Sequence, residues 1–160
     1  MLGSADFGHF PQVYIIPPDS IRVRPSNLAD ENQRRKMRET KFNTFGPTEC
    51  GYRLSAYRSL AEGWSPAPDD VWTDLYMWRK FFALPDLRFT TRYVVTSLHF
   101  PVFSRKGMSL QQRAAENEYW FGRIRDLEER ELIAQQALRC LHDRIGEPGR
   151  RESPGPVDEL

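Results

Sequence analysis

Between Ser65 and Phe82 the chain reads SPAPDDVWTDLYMWRKFF. Val71, Leu75, Trp78 and Phe82 recur every three or four positions, which predicts one face of a helix. Trp72 and Tyr76 add a second apolar flank, and Met77 with Phe81 a third. An amphipathic helix needs only one such stripe, so this one is expected to be covered on several sides. Asp69 and Asp70 put negative charge at its entry, and Leu84-Pro85 marks its stop.

A longer periodicity follows downstream. Trp120, Ile124, Leu127, Glu131, Ala134, Leu138, Leu141 and Ile145 alternate in steps of four and three, the heptad seam of a helix packed along another helix. Ser109 and Gln112 make a capping box ahead of the seam, and Gly146 with Pro148 closes it. These signals predict one unbroken helix over 110–145, roughly 54 Å long at 1.5 Å per residue.

Elsewhere the pattern is weaker. Cys50, Leu54, Tyr57 and Ala61 share a helical face and predict a helix over Pro47–Glu62. Residues 26–40, with Ser26 as N-cap, read as a polar helix whose large apolar groups are Leu28 and Met37. In the first 25 residues, VYII and IRVR flank Pro17-Pro18-Asp19-Ser20, which suits a small hairpin or an extended arm. The β-branched and aromatic run FTTRYVVTSLHFPVF predicts a strand, or a helix if propensity misleads, and its candidate strand partners are the N-terminal segments. The expected fold is therefore mainly α: two or three short helices, one long C-terminal helix, and at most a minor β element. Its expected organisation is an arm or hairpin over 1–25, an irregular helical domain over 26–145 and an extended tail over 146–160.

Composition changes this picture in one respect. The chain carries 10 Phe, 6 Tyr and 4 Trp together with 12 prolines, so it is rich in rings and poor in long regular elements. Such rings serve as anchors at protein interfaces. Charge is balanced, 23 Lys+Arg against 22 Asp+Glu, which removes any general attraction to nucleic acid. The cations are arginines apart from Lys36, Lys41, Lys80 and Lys106, a bias that suits planar contacts at interfaces and is equally produced by a GC-rich genome. There is no 18-residue apolar run to span a membrane, and the start MLGSADFGHFPQ has no secretory or transit pattern.

No catalytic signature accompanies these elements. Cys50 and Cys140 lack metal-type spacing, and His9, His99 and His142 are scattered. No phosphate loop, GxSxG, HExxH or CxxC is present, and Asp6-Phe7-Gly8 stands without any other kinase motif. LSAYRSL, residues 54–60, resembles the motif of the LYR proteins, small helical accessory factors of mitochondria. It has Ala56 where that motif has leucine and lacks the three-helix context, so no family is assigned on it. The expected function is a non-catalytic structural or accessory subunit of a large multi-protein assembly, without cofactor or metal. A mitochondrial respiratory-chain or ATP-synthase complex is the favoured setting, peripheral to the membrane; a ciliary microtubule-associated protein and a free-standing helical enzyme or regulatory domain are the alternatives. The expected partner-binding residues are Trp72, Tyr76, Trp78, Phe81, Trp120, Ile124, Leu127, Leu138 and Leu141.

Overall fold

The structure, a computed structural model, describes residues 2–145, except for the side chains of 143–145; the tail expected over 146–160 lies outside the described residues. The chain forms two compact units, each assembled from segments distant in sequence.

The first unit takes residues up to Pro11 together with Ser26–Ser97. Its sheet is made of three short strands: β1 (Phe7–His9) lies between β4 (Cys50–Tyr52), antiparallel to it, and β5 (Phe89–Thr91), parallel to it. Two helices, α1 (Glu31–Glu39) and α3 (Thr73–Phe82), and the single helical turn α2 (Leu54–Arg58) complete the unit. Asp30, not Ser26, caps α1, its side chain accepting from the Asn32 N–H at 2.9 Å. Arg79 of α3 ties the two longer helices together. Its guanidinium donates to the carbonyls of Met37 at 3.0 Å and Thr40 at 2.7 Å, among the acceptors left over at the end of α1.

The second unit takes Gln12–Pro25 together with the described residues from Leu98 onward. Strands β2 (Val13–Ile16) and β3 (Ser20–Val23) form an antiparallel hairpin, with Val13 opposite Val23 and Ile15 opposite Ile21. β6 (Leu98–His99) lies parallel on the outer side of β2. Helices α4 (Leu110–Arg125) and α5 (Leu127–Ile145) follow, and α5 packs on β3.

The fold class is thus α+β, 45% helix and 13% strand in two three-stranded mixed sheets among the described residues, and the expectation of a mainly α chain is corrected. Each strand is two to four residues long, and apart from the local β2–β3 hairpin that VYII and IRVR suit, the pairings join segments far apart in sequence. The helix expected over Pro47–Glu62 is replaced by a 3-10 turn, β4 and α2, because backbone pairing with β1 claims Cys50–Tyr52. The run expected as one strand over 86–103 is divided into β5 and β6, one for each sheet. The long helix is also two helices, broken at Asp126.

Candidate partner-binding faces

Phe7 organises the interior of the first unit. It is fully buried, and its ring lies 5.0 Å from Phe81, 5.5 Å from Trp78, 5.8 Å from Tyr52, 6.0 Å from Phe89 and 6.1 Å from Phe45, centroid to centroid. Tyr52 and Phe89 are its cross-strand neighbours in the sheet, so register alone places three rings in a row. The Trp78 indole N–H donates to the Phe45 carbonyl at 3.3 Å, which satisfies the polar end of this unit's largest fully buried side chain.

This arrangement shows what covers the all-round apolar helix. Leu75, Met77, Trp78, Phe81 and Phe82 point into the unit's own core. The remaining flank, Trp72 and Tyr76, is half-buried, and lysines lie over its rings: the Lys41 ammonium 5.2 Å from the Trp72 centroid and the Lys80 ammonium 4.6 Å from that of Tyr76. Trp78 and Phe81, counted among the partner-binding residues from sequence, have no surface free for a partner.

Among the titratable groups of this unit, His9 is buried and Cys50 half-buried. His9 packs on the Phe45 ring at 5.2 Å, with its Nδ1 3.3 Å from the Thr91 hydroxyl. Burial pushes its pKa down to about 4. The Cys50 thiol is pushed up to about 12 by burial first, then by the carboxylates of Glu49 and Asp74. Cys50 is therefore a protonated, weakly nucleophilic thiol at neutral pH. Among the described residues, no group of three His, Cys, Asp or Glu side chains is arranged to hold a metal.

The second unit has a different interior. Arg105 ends the 3-10 turn Val102–Arg105 and is buried. Its Nε and Nη2 donate to the two carboxylate oxygens of Glu116 on α4, both at 2.6 Å. Nη1 donates to the Pro101 carbonyl at 3.1 Å and the Ser104 hydroxyl at 2.9 Å, and Nη2 also to the Ile15 carbonyl of β2 at 3.0 Å. All five guanidinium N–H groups are thereby satisfied, the condition under which a buried charge is tolerated. One side chain thus joins sheet, turn and helix.

Around this ion pair the unit leaves much apolar surface uncovered. Leu110, Tyr119, Phe121, Leu127, Leu132 and Leu138 are exposed along α4 and α5; Leu110 is 86% and Leu127 69% accessible. An open groove of about 620 Å³ runs between Leu98 and Phe100 on one side and Ala114, Trp120, Phe121 and Ile124 of α4 on the other. Trp120, in its wall, is buried with an indole N–H that has no hydrogen-bond partner.

The expected seam is therefore divided. Trp120 and Leu141 are buried, Ile124 is half-buried, and Leu127 and Leu138 face solvent. The stripe of α5 that lies inward is Ile133, Ala137 and Leu141, rotated from the heptad because the bend at Asp126 turns α5 onto β3. Sequence reasoning also missed Arg105 and Glu116. A lone arginine in a turn and a glutamate on a polar helix look like solvated charges, and their spacing of eleven residues matches no local pairing rule. Comparison with known protein families, with curated proteins and with solved structures gives no match.

Proposed function

We propose that this chain is a non-catalytic structural or accessory component of a multi-protein assembly and acts through contacts made by its second unit. The observation that carries this reading is the exposed apolar surface of α4 and α5. Large side chains that a self-sufficient domain would turn inward, Leu110, Phe121, Leu127 and Leu138 among them, stand in solvent, and Phe121 also lines a mostly apolar groove. The first unit turns most of its large rings inward, Trp64 and Tyr93 being the exposed ones, and serves as the scaffold. No described helix is long and apolar enough to cross a membrane, so contact with a membrane complex would be peripheral on the helical side.

The setting we favour is a mitochondrial respiratory-chain or ATP-synthase complex. Its support is an analogy in composition: such accessory subunits are small, ring-rich, proline-rich and irregular. A ciliary microtubule-associated role rests on the same features.

The test is affinity purification of the full chain from its native cells, with quantitative mass spectrometry and organelle fractionation. Phe121→Asp and Leu138→Asp lie on exposed positions, so each is expected to change folding stability by no more than about 0.5 kcal/mol. Each is expected to remove stoichiometric partners while leaving the thermal melt in place. A wild-type chain that elutes alone, at its own mass, overturns the proposal.

A further inference from the structure

Asp126 alone separates α4 from α5. Its φ of −73° is already helical, and only its ψ, 128°, departs from the helical value near −42°. One torsion therefore stands between the bent pair and a continuous helix. The sequence supports the continuous form, since Trp120, Ile124, Leu127, Glu131, Ala134 and Leu138 keep their heptad steps through the bend.

Two contacts hold the bent form. The Asp126 carboxylate accepts from the N–H groups of Glu128 at 2.9 Å and Glu129 at 3.0 Å, capping α5. Arg123 pairs with Glu129 across the bend, Nη2 to Oε2 at 2.7 Å. Residues six apart are about 240° around a straight helix, so this pair exists only while the chain is bent. The bend leaves Leu127, at its outer corner, 69% accessible.

From this geometry we propose that α5 is exchanged between two copies of the chain. Rotation of ψ at Asp126 straightens α4 and α5 into one rod of roughly 54 Å, and α5 then no longer reaches its own β3. The occupant of the vacated β3 face is α5 of the second copy. It brings the same buried stripe, Ile133, Ala137 and Leu141, to the same β3, so complementarity is already built. Where the two straightened helices cross, Ile124 and Leu127 of each copy face their counterparts, and the exposed corner is covered. This dimerisation is independent of the accessory role proposed above and does not rest on it.

The proposal is tested on the full chain by light scattering across a concentration series. Asp126→Ala removes the cap and favours helix at the bend. Leu127→Pro locks the bend, because proline is tolerated at the first position of α5 and holds the preceding residue extended. The expected result is a wild-type dimer fraction that grows with concentration, rises several-fold in Asp126→Ala and disappears in Leu127→Pro. Ile21→Cys in a Cys50→Ser background supplies a second measurement on an otherwise wild-type hinge, since the Cys140 sulfur lies 3.8 Å from the Ile21 carbonyl. Oxidation is expected to link two chains in the dimer fraction and to close within one chain in the monomer. A monomeric Asp126→Ala, a dimer fraction unchanged by Leu127→Pro, or only intrachain bonds in the dimer overturns the exchange.

Discussion

Both units bury apolar side chains, but among the described residues only the interior of the second is also joined by a buried ion pair. In the first, Phe7 is surrounded by Phe45, Tyr52, Trp78, Phe81 and Phe89, and the stabilisation comes from apolar area and ring-edge geometry. In the second, a buried Arg105–Glu116 pair joins sheet, turn and helix, while leucines and aromatic rings of α4 and α5 remain outside. The difference shows that the abundance of aromatic residues does not by itself mark a binding surface. What marks one is where large apolar residues are left outside together: six lie along α4 and α5 of the second unit, whereas the first unit exposes Leu54, Trp64, Tyr93 and Val94.

The strongest way to break the comparison is to remove the hub of the first unit. Phe7→Ala deletes a fully buried ring with six aromatic neighbours, Phe82 the farthest at 6.4 Å, and about 4 kcal/mol of stability is expected to go with it. Urea denaturation gives the size of the loss, and hydrogen exchange at the amides of β1, β4 and β5 gives its location. A loss below about 1 kcal/mol would mean that the rings repack freely and that the core has no hub.

The second unit is expected to respond to charge. Glu116→Ala strands a buried guanidinium and should cost about 3 kcal/mol, read as lost exchange protection in β2 and α4. The combined Arg105→Met and Glu116→Leu variant replaces the pair with apolar groups of similar reach, and is expected to recover most of that loss. If the double variant is as damaged as the single one, the hydrogen bonds from Arg105 to the Ile15 and Pro101 carbonyls carry the stability, and the ion pair does not.

How much of this was legible in the sequence depends on the range of each interaction. The helical character of 73–82, its stop before Pro85 and the capping box at Ser109 are local, and the structure contains each of them. The hairpin of VYII against IRVR is local too, and the structure contains it, with β3 alternating exposed and buried positions. The long-range pairing was not legible: β1 finds β5 some eighty residues later through three residue pairs, and a stretch that short carries no period. The break at Asp126 was hidden for the opposite reason: the local signal for one long helix is strong, and the packing of Ile133, Ala137 and Leu141 on β3 overrides it. Of the expected partner-binding residues, Leu127 and Leu138 are exposed, whereas Trp78, Phe81, Trp120 and Leu141 are buried. Hydrophobic pattern shows that a residue will be covered, and does not show by what.

The smallest expected effect separates the two interiors by pH. His9 is a titratable side chain inside the aromatic unit, 1% accessible, and the cause of its shift is burial. The Thr91 hydroxyl accepts from the Leu28 N–H at 2.6 Å and lies 3.3 Å from the His9 Nδ1, a hydrogen bond that suits the neutral ring. The folded pKa near 4 lies below the ordinary value of 6.5. Between those values the unfolded chain binds the proton and the folded chain does not, so stability falls as pH drops from about 6.5 to about 4 and is fully present above that window. The slope is at most about 1.4 kcal/mol per pH unit, and the total over the window at most about 3.4 kcal/mol, of which about half falls between pH 7 and pH 5. His9→Asn keeps an acceptor near the Thr91 hydroxyl and cannot titrate in this range. Urea midpoints at pH 7 and pH 5 are expected to differ for the wild type, and to differ less for His9→Asn even though that variant starts from lower stability. Equal pH dependence in both chains would place the acid-sensitive group elsewhere and remove His9 from the account of the first unit.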